Sequence, residues 1–176
     1  MIPSMFSLPI LDVLLALVVS VAAHPHNPKA FVLGGAKGKA TLSYMTLPFN
    51  PEAVDQLRPG SDWYLGNAML NTQMLMTSGN VRIPPGTYQI NVRRSEDGDF
   101  NQAVLKRSGN DDIVLPIAAF EAAEEEHLVL RVMNNGYVST GPGSTEPDDG
   151  AEFTLMMSFG NLHRKLELKE VLDMDR

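Results

Sequence analysis

Four histidines are the residues of this chain best suited to bind a metal ion: His24, His26, His127 and His163. If residues 1–23 are removed during export, His24 offers its α-amino group and its imidazole to one ion. These nitrogen ligands suit copper. Because Pro25 has no amide N–H to deprotonate, a square-planar amino-terminal site using His26 is excluded. The alternative, which we favour, is that His24 and His26 belong to an exported tail and the ten methionines fill core gaps.

An aromatic pair is the second feature that suggests binding. Trp63 and Tyr64, followed by Asn67, would suit a surface on which sugar rings stack. The competing interpretation is that Trp63, the single tryptophan, anchors the core. We favour the core role for Trp63 and keep Trp63, Tyr64 and Asn67 as candidate ligand-binding residues.

Acidic clusters offer weaker signals. Residues 96–101 (EDGDFN) resemble part of a calcium-binding loop but lack its full spacing, and a hairpin turn is the favoured interpretation. The runs at 124–126 and 146–149 are interpreted as solvated charge. A glycan-active enzyme would need two carboxylates lining one cleft.

Composition and motifs exclude several classes of function. The 176 residues include no cysteine, so disulfides, thiolate metal sites and cysteine nucleophiles are excluded. With 14 Lys and Arg against 21 Asp and Glu, the chain has a net charge of −7 and no basic surface for nucleic acid. Neither a Gly-x-Ser-x-Gly nor a His-Glu-x-x-His motif is present. The sequence therefore favours a non-enzymatic role with no cofactor, with copper as the alternative.

The first residues are typical of a secretory signal peptide. Residues 5–23 are almost entirely apolar and end in the small residues Ser20, Ala22 and Ala23. An uncleaved membrane anchor is disfavoured because Asp12 would lie within the span. We expect an exported protein, periplasmic or extracellular, without a stable membrane span after cleavage.

The rest of the chain alternates between short β-like runs and turn signals. Runs with β-branched, aromatic or alternating residues separated by Gly, Pro and Asn clusters predict an all-β fold, an antiparallel, jelly-roll-like β-sandwich. In the run 86–92, Tyr88, Ile90 and Val92 are expected to face the core. The predicted strands are 41–47, 72–77, 86–92, 103–106, 113–118, 127–133, 152–159 and 165–171.

One short helix interrupts this pattern, with Asn50 as its N-cap, Pro51 at its first position and Pro59-Gly60 at its end. The predicted organisation is a signal peptide, an N-terminal tail or first strand, a sandwich domain and a short C-terminal tail. Their bounds are 1–23, 24–37, 38–171 and 172–176.

Two runs in the centre of the chain, 63–68 (WYLGNA) and 81–88 (VRIPPGTY), are motif-like. They resemble the DUF2911 family of exported bacterial proteins without an assigned function, which has Trp-Arg-x-Gly-Ala-Asn and a Pro-Ala-Gly-Thr-Tyr strand entry at these places. Tyr64 and Leu47 replace two family arginines, so any ligand those arginines bind would be lost here. The resemblance implies a β-sandwich and export, but no activity. We therefore expect a binding or envelope-accessory module whose partner is a small molecule, a glycan or an envelope protein.

Overall fold

The computed structural model describes residues 26–137 and 150–172, which form twelve strands and one helix. The predicted signal peptide and His24 lie outside the described residues. In chain order the elements are β1 (Pro28–Gly34), β2 (Lys39–Met45), α1 (Pro51–Asp55), β3 (Asp62–Thr72), β4 (Met76–Ser78), β5 (Val81–Ile83), β6 (Gly86–Arg94), β7 (Phe100–Lys106), β8 (Ile113–Pro116), β9 (Ala118–Ala119), β10 (Glu125–Tyr137), β11 (Ala151–Gly160) and β12 (Leu162–Glu170).

The strands form two antiparallel sheets. The first sheet has the order β1-β2-β3-β6-β7-β8, and the second has the order β10-β11-β12-β4-β5, with β9 paired to β12. The inner faces of both sheets contribute to one hydrophobic core. The predicted all-β sandwich with one short helix is confirmed.

Alternation along the strands explains which side chains form that core. In β6, Tyr88, Ile90 and Val92 are almost fully buried, as predicted, while the intervening Gln89 is half-buried on the outer face. Successive side chains of a strand point to opposite faces, so apolar residues at every second position are enough to make one face of the strand apolar. Sheet register is then set by keeping that face covered.

The predicted strand over 72–77 is wrong. β3 ends at Thr72, and the chain then crosses from the first sheet to the second, where β4 begins at Met76. The Thr72 hydroxyl donates to the Met74 carbonyl oxygen at 2.9 Å and accepts from the Met74 amide at 3.0 Å. A local side-chain turn of this kind competes with strand pairing. Both methionines are buried, which is what an apolar crossover between two sheets requires.

The predicted helix is present as α1 and begins where expected, but it ends at Asp55 and not at the predicted Pro59-Gly60. Asn50 accepts a hydrogen bond from the amide of Ala53, and Pro51 occupies the first helical position. The helix is only five residues long. Within residues 26–137 and 150–172, no helix has the length and apolar character needed to cross a bilayer.

Four aromatic side chains, named here the aromatic cluster, join the sheets at one end of the sandwich: Phe49, Trp63, Phe100 and Phe159. The ring centroids of Trp63, from the first sheet, and Phe159, from the second, are 4.5 Å apart. Trp63 is partly buried against the core, in agreement with the favoured interpretation of this residue.

The opposite termini of the fold are tied by a buried carboxylate. Glu170 is 1% exposed and accepts hydrogen bonds from the backbone amides of Ala36 at 2.8 Å, Lys37 at 2.6 Å and Ala151 at 3.2 Å. The first two amides lie in the turn between β1 and β2. One side chain of β12 therefore fastens the first hairpin to the second sheet.

Candidate functional site

An irregularity in β3 shapes the outer face of the first sheet. Tyr64 pairs with Asn91 and Met69 pairs with Gln89, so residues 65–68 of β3 lie opposite Ile90 alone. Within this bulge Gly66 and Asn67 both have positive φ, +51° and +56°. Extra residues in a strand bend it locally and redirect its side chains.

The bulge needs glycine at position 66. A Cβ there would lie 2.3 Å from the backbone oxygen of Met45, and φ is in the left-handed region. Asn67 is exposed, and its Nδ2 lies 3.5 Å from the sulfur of Met45 on the neighbouring strand β2. Asparagine is among the few residues with a side chain that tolerate this conformation.

The structure separates the predicted aromatic pair. Trp63 lies on the inner side of β3 and packs on Phe100 and Phe159. Tyr64 points outward and keeps 46% of its surface exposed. Of the three candidate binding residues, Tyr64 and Asn67 are therefore exposed, and Trp63 packs against the core.

A network of four charged side chains lies beside Tyr64. The guanidinium of Arg93 donates to Asp62 through Nε at 2.6 Å and Nη2 at 3.1 Å, and the Lys106 Nζ lies 2.7 Å from the same carboxylate. The carboxylate of Asp112 completes the network, 3.5 Å from Arg93 and 4.0 Å from Lys106. The two positive charges are balanced by two negative ones.

The network shifts the ionisation of its central groups. Burial of the Asp62 carboxyl raises its pKa, but the hydrogen bonds and charges of Arg93 and Lys106 together outweigh this effect and hold the pKa of Asp62 below its ordinary value. The hydrogen bond to Asp62 raises the pKa of Arg93 despite some burial. Asp62 and Arg93 are therefore both charged at neutral pH.

Sequence reasoning missed Asp62, Arg93 and Lys106. Asp62 precedes Tyr64 by two residues and Arg93 follows Asn91 by two, so a correct β3–β6 register would have placed both beside Tyr64. Such a register could not be read from the sequence because the bulge at 65–68 breaks the alternation of β3.

The histidines do not converge. His26 is exposed, with its Nδ1 3.0 Å from the carbonyl oxygen of Thr46, and His127 pairs with Pro48 in an isolated bridge. These two histidines therefore flank the short segment 46–48. The third, His163, is 6% exposed and lies against the ring of Phe120, the residue that follows β9. In the described parts of the chain no three His, Cys, Asp or Glu side chains are grouped so as to hold a metal ion.

The acidic stretch at 96–101 covers most of the turn between β6 and β7 and the first two residues of β7. The hydroxyl of Ser95 donates to the Asp97 carboxylate and to the Asp99 backbone oxygen, and the first of these bonds lowers the pKa of Asp97. The Asp99 carboxylate is paired with Arg164 of β12. Both carboxylates thus stabilise the turn and its contact with the second sheet.

A shallow groove of about 230 Å³ lies on the outer face of the second sheet, and two of its lining residues are Glu152 and Glu167. The pair of carboxylates that a glycan-active enzyme would need in one cleft is present. Each carboxylate forms an ion pair with a lysine. The Oε1 atom of Glu152 lies 3.6 Å from the Nζ of Lys169, and the Oε1 atom of Glu167 lies 3.1 Å from the Nζ of Lys165. We assign no catalytic role to either.

Comparisons of the chain with family profiles, with curated proteins and with solved structures find no match. The resemblance to DUF2911 stays a prediction.

Proposed function

We propose that the chain is an exported, non-enzymatic binding protein of the DUF2911 type, whose ligand contacts the outer face of the first sheet around Tyr64. The observation that carries the proposal is an exposed aromatic side chain next to a fixed polar network on a sheet face. Tyr64 keeps 46% of its surface in contact with solvent although the chain has a well-formed core for apolar rings.

The arrangement has the physical properties of a contact surface. Tyrosine offers a large amphipathic area at a low cost in side-chain entropy. Asp62 and Arg93 are already held by paired hydrogen bonds, so little further ordering is required when a ligand binds. Bound ligand would stack on the Tyr64 ring and hydrogen-bond to the neighbouring polar groups.

A binding role is favoured over catalysis on this face because its titratable groups form ion pairs with one another. Asp62 is engaged by both Arg93 and Lys106, which keeps it charged and occupied. A general acid or base needs a pKa near the working pH and access to a substrate proton. Asp62, with its lowered pKa, meets neither requirement.

The test of the proposal is a titration of the folded protein with cellohexaose, maltohexaose and an alginate hexamer, followed by two-dimensional NMR and by the emission of Trp63. We expect at least one oligosaccharide to shift the backbone signals of residues 62–69 and 89–93. Tyr64→Ala is expected to abolish the shifts, Tyr64→Phe to retain them, and Met133→Ala, an exposed apolar residue of the second sheet, to have no effect. Binding that Tyr64→Ala leaves intact would overturn the proposal.

Export is part of the same proposal and rests on the apolar residues 5–23 with their small-residue end. Expression in a Gram-negative host, followed by mass spectrometry of the periplasmic and secreted protein, tests it. We expect a chain that starts at residue 23 or 24. A full-length chain confined to the cytoplasm would contradict export.

Copper binding is the second candidate, and it rests on the α-amine and imidazole that a mature N-terminal His24 would offer to one ion. A mature chain that starts at His24 would bring its amine and imidazole within two residues of His26. Calorimetric titration of that mature chain with Cu(II), compared with His26→Ala and His127→Ala, tests the idea. A mature N-terminus other than His24 removes this candidate.

A further inference from the structure

The outer face of the first sheet carries two adjacent cross-strand rows of side chains without charge. Register pairs place Thr41, Asn71 and Thr87 side by side on β2, β3 and β6. The next row is formed in the same way by Ser43, Met69 and Gln89. We name these six side chains the neutral rows.

The side chains of the neutral rows point to solvent, because the side chains of the row between them point to the core. Leu42, Leu70 and Tyr88 are register partners on the same three strands, and each is 1–2% exposed. Side chains on either side of a buried position in a strand lie on the opposite face. Asn71 and Thr87 are exposed, and the other four members are half-buried.

The polar members of the neutral rows have unused hydrogen-bonding capacity. Within the described residues, the side chains of Thr41, Ser43, Asn71, Thr87 and Gln89 make no hydrogen bond to another part of the chain. Hydroxyl and amide groups can each donate and accept. Five such groups, fixed on a paired sheet, are therefore available to a ligand that also offers both donors and acceptors.

The neutral rows have dimensions that suit an extended ligand. Neighbouring strands lie about 4.8 Å apart, so three strands give a row about 10 Å wide, and the two rows are separated by about 7 Å along the strands. The second row continues to Lys106, which is bound to Asp62 of the network beside Tyr64. The neutral rows, Tyr64 and the charged network beside it thus lie on one continuous face.

We infer that this face binds a neutral polysaccharide, a polymer of hydroxyl groups without carboxylate, sulfate or phosphate; the inference rests on the proposed function and specifies its ligand class. Charge complementarity favours a neutral polymer over an acidic one. An acidic polymer needs free cations all along its path. The neutral rows carry no charge, and Arg93 and Lys106 beyond one end of them are already paired with Asp62. The exposed Lys39, two residues before Thr41 on β2, is a cation at the border of the rows and not within them. Neutral hydroxyls match the free hydroxyl and amide groups, and the Tyr64 ring matches the apolar face of a sugar.

The test is native affinity electrophoresis of the folded protein in gels that contain hydroxyethyl cellulose, soluble starch or alginate. We expect retardation by at least one of the two neutral polymers and none by alginate. The double variant Asn71→Ala/Thr87→Ala is expected to weaken that binding about fivefold or more, because two hydrogen bonds are lost. The exposed Asn161→Ala, in the turn between β11 and β12, is the matched control and is expected to bind like the unmodified protein.

The outcomes separate this inference from the proposed function. Binding that Tyr64→Ala abolishes but the double variant leaves intact would overturn the role of the neutral rows and keep the proposed function. If the double variant loses binding and Tyr64→Ala keeps it, the role of Tyr64 is overturned and the role of the neutral rows is kept. Retardation only by alginate, or by no polymer, would overturn the inference. Thermal unfolding of each variant, measured beforehand, shows that a loss of binding is not a loss of fold.

Discussion

At the scale of single residues, the bulge of β3 depends on a glycine. The close approach of Gly66 to the backbone oxygen of Met45 leaves no room for a side chain, and its φ of +51° is unfavourable for any residue with a Cβ. This position therefore determines both the path of β3 and the outward direction of Tyr64.

We predict that Gly66→Ala lowers the free energy of unfolding by more than the roughly 1–3 kcal/mol of a left-handed residue, because a backbone clash is added to that strain. Gly79→Ala is the matched control, since Gly79 has a φ of +56° and no atom within 4 Å of the Cβ position. Urea unfolding of both variants measures the difference. Equal losses would show that the approach to Met45 is unimportant.

Asp62 is predicted to make stability depend on pH. Its folded pKa lies below the ordinary value, so the folded protein binds the proton less readily than the unfolded chain. The stabilisation is fully present above the unfolded pKa of about 3.9 and is lost as the pH falls through the folded value. Urea unfolding between pH 2 and pH 7 should show a smaller acid-induced loss for Asp62→Asn than for the unmodified protein.

The exposed Asp111→Asn is the control for that series and should retain the acid-induced loss of the unmodified protein. If Asp62→Asn and Asp111→Asn followed the same pH profile, the network around Asp62 would have no role in stability.

At the scale of elements, one side chain of β12 holds the first hairpin in place. Glu170 engages three backbone amides from two different parts of the chain. Alternation along β12 places Glu170 on the same face as Leu166 and Leu168, and all three are buried. Its partners could not be predicted, because Ala36 and Lys37 lie more than a hundred residues away.

We predict that Glu170→Ala lowers the free energy of unfolding by about 3 kcal/mol or more, because three amides lose their acceptor and each unsatisfied buried donor costs about 1–3 kcal/mol. Glu167→Ala, an exposed neighbour on the same strand, should change it by about 0.5 kcal/mol or less. Hydrogen exchange should locate the effect at the amides of Ala36 and Lys37. Unchanged protection of these amides in Glu170→Ala would contradict the role of the carboxylate.

At the scale of the whole molecule, the sandwich is held together by packing and backbone pairing, since the chain has no cysteine. The aromatic cluster joins the two sheets directly, with Trp63 of the first sheet against Phe159 of the second. A contact that bridges the sheets should disappear only when both sheets separate.

We predict one cooperative unfolding transition, in which Trp63 emission and far-UV circular dichroism change at the same urea concentration. Trp63→Ala should lower the free energy of unfolding by about 3 kcal/mol, the lower end of the range for a truncated aromatic core residue, because Trp63 is partly exposed. Tyr64→Ala, one residue along, should change it by about 0.5 kcal/mol or less. Two separate transitions would show that the sheets are not coupled through the aromatic cluster.

Local patterns in the sequence determined the class of fold and several of its elements. The all-β architecture, the helix capped by Asn50 and the inward set Tyr88, Ile90 and Val92 follow from period-two alternation and from cap and turn residues, which act over a few positions. The exposed aromatic at position 64 was also identified among the candidates. Export and the identity of the ligand remain predictions.

Only the tertiary structure decided which distant residues meet. The bulge at 65–68 shifts the register of β3 against β6, and this shift pairs Asp62 with Arg93 and turns Tyr64 outward and Trp63 inward. The crossover after Thr72 likewise depends on a local interaction, because the Thr72 hydroxyl bonds to the backbone of Met74 where the strand ends. Pairing between strands far apart in the chain is set by burial and register over the whole sheet, and no local pattern carries that information.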